Sequence, residues 1–174
     1  FVGRVAERDL LWQALREVYA TGIGQAVVLR GPNGMGRSRL GSWLCQRADE
    51  VGAARVFTAH HDHTEEGVNG VVPMVARYLR CAGLPRTVVR DRLARAFPPG
   101  DLLEGDVEAL TEFLCPDQSD PDSLLARRLR YARERFSLVR RLIERESTGH
   151  STDDWEAVAV VWLDDAHLGN DTLD

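Results

Sequence analysis

Residues 26–30, Ala-Val-Val-Leu-Arg, run into Gly31-Pro32-Asn33-Gly34-Met35-Gly36-Arg37-Ser38, after which Arg39 and Leu40 open a stretch with helical patterning. A short apolar run, a glycine-rich turn and a helix in that order predict a buried strand handing over to a helix through a loop of backbone N–H groups. The octapeptide fits G-x-x-x-x-G-K-[ST] at every fixed position but one, where Arg37 stands for lysine. Glycines at 31, 34 and 36 allow backbone conformations that a β-carbon forbids, so successive amides can converge on phosphate oxygens at the helix start. Ser38 would then offer its hydroxyl to Mg2+. A lysine at 37 would reach the β- and γ-phosphates as a compact charge, whereas arginine is longer, planar and forked. Binding is therefore expected to survive the exchange better than turnover. The plainer alternative is a glycine-rich turn that joins a strand to a helix and holds no ligand.

Outward from this loop, the spacing predicts a helix over 6–19, with Leu10, Leu11, Ala14, Leu15 and Val18 on one face, and another over 37–49. A second strand fits 54–59. Helical patterns then cover 72–82, 86–97, 102–114 and 122–146, broken by Pro98-Pro99-Gly100 and by the proline-bounded stretch 115–121. A last strand fits 157–163. Strand, glycine loop, helix and strand in succession indicate an α/β protein with a parallel sheet flanked by helices.

The last strand ends in Asp164-Asp165. A buried parallel strand delivers such carboxylates at its C-terminal end, where α/β sheets bind ligands. One acid can position the water shell of Mg2+, and its neighbour can orient or deprotonate an attacking water. Taken alone, an apolar run ending in two acids is as often a helix N-cap.

Composition bounds the alternatives. The chain has 174 residues, 44% of them hydrophobic, which suits one domain or part of one, and its net charge of -5 does not suggest a protein that coats nucleic acid. All 22 basic residues are arginine. Abundant Ala, Arg, Gly and Leu without lysine is what a GC-rich coding bias produces, so Arg37 is compatible with a tolerated exchange, and a Schiff-base mechanism is excluded within this stretch. Cys45, Cys81 and Cys115 fit no metal or redox spacing and read as reduced, buried thiols. No segment is apolar enough to span a bilayer and no signal peptide is visible, so a cytoplasmic protein is expected. The absent initiator Met and the stop at Asp174, just after the last strand, read as an excerpt of something longer.

These residues resemble the AAA-type ATPase domain of the signal-transducing multi-domain P-loop NTPases, the STAND class. Phe1-Val2-Gly3-Arg4, with Glu7 and Leu10, is similar to the family's entry motif beside the adenine pocket; Gly31 to Leu40 is similar to its Walker A segment, and Leu163-Asp164-Asp165-Ala166-His167 to its Walker B segment. An Arg- and Phe-bearing stretch, 133–143, is also of the expected kind. The chain departs from the pattern at Arg37 and at Leu168-Gly169-Asn170, where the family has Trp-Ala-Asp; Asp171 is the nearest acid. The resemblance implies a three-layer α/β/α P-loop NTPase over 1–174, ending after the Walker B strand, with a helical insertion at about 71–150. It further implies a sensor strand between the Walker A and Walker B strands. Without that strand the sheet is expected to have a gap and marginal stability.

On this basis ATP and Mg2+ are the expected ligands. Gly31, Pro32, Asn33, Gly34, Met35, Gly36, Arg37, Ser38 and Arg39, with Val2, Gly3 and Arg4, would bind nucleotide; Ser38 and Asp164 would hold Mg2+, and Asp165 would be catalytic. The expected role is a nucleotide-dependent switch with slow ATP hydrolysis in a larger signalling protein. Its partners would be ATP or ADP and an effector domain in the same chain, such as a Ser/Thr kinase, a cyclase or a helix-turn-helix, often with helical repeats. No membrane partner is expected, and nucleic acid only through a fused domain. Two alternatives remain: a non-hydrolysing scaffold, and a nucleic-acid module using the eight arginines of 122–146. Against the second, Leu125, Leu129, Ala132, Phe136, Val139 and Ile143 form an apolar stripe that points to packing. His60-His61-Asp62-His63 could offer metal ligands, although only His61 and His63 would share a face of an extended chain. His167 could sense the γ-phosphate or cap local structure.

Overall fold

A computed structural model describes residues 3–61, 70–98, 103, 105–147 and 158–168. Helix α1 spans Val5–Thr21 and stops at Gly22, whose positive φ of 68° lets its N–H donate to the Val18 carbonyl. Helix α2 spans Arg37–Glu50, strand β1 Ala54–His60, and β2 Val158–Asp164. Between the strands lie α3 (Val71–Tyr78), α4 (Arg86–Ala96), α5 (Asp106–Leu114), α6 (Leu124–Leu129) and α7 (Ala132–Ser147). The chain is thus a mixed α/β protein whose two described strands pair in parallel, from Ala54 opposite Val158 to His60 opposite Asp164.

Both faces of this pair are covered, and the alternation of side chains along each strand assigns the faces. Phe57 and Ala59 of β1, with Ala159 and Leu163 of β2, pack into the larger core with Val75, Leu93, Leu110, Leu138 and Leu142 of the intervening helices. Ala54, Val158 and Val160 point the other way, onto Leu15 of α1 and Ala48 of α2. The Phe57 ring stacks on Tyr78 with centroids 4.0 Å apart, and the Tyr78 hydroxyl donates to Glu146 at 2.5 Å, which fixes α3 and α7 to the same face. Two carboxylates are buried among the helices. Asp106 accepts a two-pronged pair of bonds from Arg141 at 2.6 and 2.8 Å, and Glu112 lies 2.8 Å from Arg86.

Three expectations are corrected. Residues 26–30 are not a strand: 22–32 has neither helix nor strand, and Val27 and Val28 are exposed. Strand geometry needs a neighbouring ladder, and β2 pairs only with β1 among the described strands. Between 24–29 and the free edge of β2 lies a cavity of about 200 Å³, floored by Leu11, Leu15, Leu44 and Cys45. Secondly, 122–146 is two helices. Ser123 caps α6 by accepting from Ala126 N–H at 3.1 Å, and Arg135 donates to the carbonyls of Leu129 and Arg130, ending α6 without glycine or proline. Of the expected stripe, Val139 is buried and Leu125, Leu129 and Ile143 pack partly buried against the core, while Leu138 and Leu142, outside the stripe, are buried as well. Thirdly, Leu10 faces solvent, leaving Leu11 and Leu15 as the buried contacts of α1.

Candidate functional site

The glycine loop reaches α2 through a turn in which Gly34 and Gly36 have φ of 79° and 76°. An L-residue pays roughly 1–2 kcal/mol in that region. A β-carbon at Gly31, Gly34 or Gly36 would meet nothing within 4 Å, so torsion rather than crowding calls for glycine at 34 and 36. Gly31 has neither constraint, contrary to the expectation that all three glycines serve the same purpose. Gly36 is the N-cap of α2 and no side chain caps the helix, so its first-turn amides are left to solvent or to an anion. Ser38 and Arg39 are exposed on that first turn.

Two arginines tie the loop down. Arg37 turns back from α2, donating Nη1 to the Gly31 carbonyl at 2.8 Å and Nη2 to Asn33 Oδ1 at 3.1 Å. From the other side Arg4, in the left-handed region at φ 51° before α1, donates Nη2 to the Met35 carbonyl. The entry segment therefore touches the loop through Arg4, beside Gly3 at φ 88°, while Val2 lies outside the described residues. Pro32 takes part through its carbonyl, which accepts from Met35 N–H at 3.4 Å.

The acids lie at the same end of the molecule. The Trp162 ring packs against Gly41, where a β-carbon would fall inside van der Waals distance of three ring atoms, while Val158 and Val160 pack near Ala48. Helix α2 therefore runs antiparallel to β2, and the N-terminus of one meets the C-terminus of the other. From this contact Ser38 is about 4.5 Å further along α2, and Asp164 about 6.6 Å further along β2. The Asp164 side chain is 15% exposed, with Oδ2 3.4 Å from His60 Nδ1, and its carbonyl accepts from His61 N–H at 3.1 Å. Asp165 is exposed at φ 49°, and its carbonyl accepts from Leu168 N–H at 2.9 Å to close a short 3-10 turn, Ala166–Leu168, that leaves His167 exposed.

The sequence singles out His60 only as a member of the histidine cluster, not as a neighbour of Asp164. Its signal was the register, because two parallel strands of equal length put their terminal polar residues side by side. As a metal group the histidine cluster gains no support: Asp62 and His63 lie outside the described residues, and no set of three or more His, Cys, Asp or Glu able to hold a metal occurs among those described. Ser38 and Asp164 would both offer hard oxygens, which suit Mg2+ completed by phosphate and water. Asn170 and Asp171 are likewise outside the described residues. In 122–146, Arg128, Arg130, Arg133, Arg140, Arg141 and Arg145 each face a carboxylate within 4.0 Å, which breaks up the basic face that a nucleic-acid reading needs. No described helix is long and apolar enough to cross a membrane. Compared with protein-family models, curated proteins and solved structures, the chain matches none.

Proposed function

We propose that this chain is the nucleotide-binding part of an AAA-type P-loop NTPase of the STAND class, an ATP-dependent switch with slow hydrolysis in a larger cytoplasmic signalling protein. One observation carries the reading: an uncapped helix start, preceded by two left-handed glycines, lies at the same end of the fold as the Asp164-Asp165 pair. In this reading the chain builds a three-layer α/β/α sheet, and the cavity beside β2 marks the place of a further strand between β2 and residues 26–30. The amides of Gly34 to Ser38 and the Arg37 guanidinium hold the phosphates, Gly3 and Arg4 border the base, and Ser38 and Asp164 hold Mg2+. A Mg2+ ion held by Ser38 and Asp164 would supply positive charge that offsets the negative charge developing on the phosphates during transfer. Asp165, exposed and turned away from the strand by its positive φ, orients the attacking water and accepts its proton. Output passes to an effector domain of the same chain.

Titration with Mg-ATP and Mg-GTP tests the binding half, and absence of heat or signal with both removes the proposal. The catalytic half is tested by Asp165→Asn. Phosphate release is expected to fall about 100-fold while nucleotide affinity stays within about threefold. A second reading, a nucleotide-binding scaffold without turnover, is favoured by the tethering of Arg37 to the loop. Equal phosphate release from the wild type and Asp165→Asn would decide for it.

A further inference from the structure

A guanidinium has five N–H donors, and Arg37 commits only part of this capacity to the loop, one nitrogen to Gly31 O and another to Asn33 Oδ1. The two acceptors lie at the first and third loop positions, so the planar group is fixed at both of its terminal nitrogens and cannot rotate about its last bonds without breaking one contact. Its remaining donors stay available. A lysine ammonium at the same place is a single point with no plane to orient, and it would not need Asn33. We propose that Asn33 is the positioning residue that lets arginine work at position 37, holding the guanidinium plane so that its spare donors face the phosphates.

This rests on the nucleotide-binding reading above, and it adds a dependence of residue 33 on residue 37. An unrestrained arginine must order several torsions on binding phosphate, whereas the tethered fork has lost that freedom beforehand. Removal of the Asn33 amide should therefore weaken nucleotide affinity only while residue 37 is arginine. Asn33 is exposed on the loop and Arg37, the first residue of α2, lies outside the core, which keeps the fold out of the comparison.

The experiment is a four-protein cycle on the chain: wild type, Asn33→Ala, Arg37→Lys and the double variant, each titrated with Mg-ADP by calorimetry, with circular dichroism as the check on folding. Asn33→Ala is expected to weaken binding about three- to tenfold in the Arg37 background and to leave it unchanged in the Arg37→Lys background. An equal effect in both backgrounds, or none in either, overturns the positioning role while leaving nucleotide binding in place. Failure of the wild type to bind Mg-ADP or Mg-ATP removes the functional reading itself and this inference with it.

Discussion

Gly41 shows how one missing side chain can set a helix-to-strand distance. The Trp162 ring occupies the space a β-carbon would need, so α2 approaches β2 closely enough to bring its N-terminus beside Asp164. Gly41→Ala forces ring and helix apart and is expected to cost about 1–3 kcal/mol in urea denaturation, the usual range for overpacking. Pairing it with Trp162→Leu should recover most of that loss. If Gly41→Ala alone unfolds at the wild-type midpoint, the contact is not what spaces the helix. Residue-level chemistry at the loop was legible in part: Gly34 and Gly36 take the left-handed torsions that glycine permits, whereas Gly31, identical in the sequence, does not. The partners of Arg37 and Arg4 were not, since a hydrogen bond from a long flexible side chain leaves no periodic trace.

Elements were legible where local preference and burial agreed. The patterns expected at 37–49, 54–59 and 157–163 correspond to α2 at Arg37–Glu50, β1 at Ala54–His60 and β2 at Val158–Asp164. Residues 26–30 carry a strand pattern equally strong, yet strand is a property of a pair, and the expected neighbour is not among the described strands. Amide hydrogen exchange separates the two cases: 24–30, without helix or strand, should exchange orders of magnitude faster than the β1–β2 ladder. Equal protection in both would mean that this segment is paired in solution. The break between α6 and α7 leaves no local trace in the sequence, because the side chain that ends α6 belongs to Arg135, six residues past Leu129.

For the molecule as a whole, two buried thiols and the half-buried phenol of Tyr78 set the alkaline limit of the range in which it is firm. Burial pushes the Cys45 thiol from its ordinary 9.0 up to about 11, raises Cys81 in the same direction, and raises Tyr78, where Glu146 adds to the effect. These groups are favoured in their protonated forms by the folded state. Their contribution is complete below about pH 9 and is lost as pH rises towards the folded values, because the unfolded chain ionises first. Unfolding free energies from urea titration should accordingly fall between pH 9 and 11, by on the order of 2 kcal/mol for Cys45 alone, and Cys45→Ala should flatten that part of the curve. An unchanged slope in the variant would assign the alkaline loss to other groups.

The close seat of Gly41 under an indole also constrains how this chain can drift over generations. Every substitution at 41 adds atoms where the ring already sits, so an ancestor carrying a bulkier residue there must first have had a smaller one at 162. Among descendants, size at the two positions should vary inversely, with the strand position changing before the helix position whenever a lineage escapes the pairing.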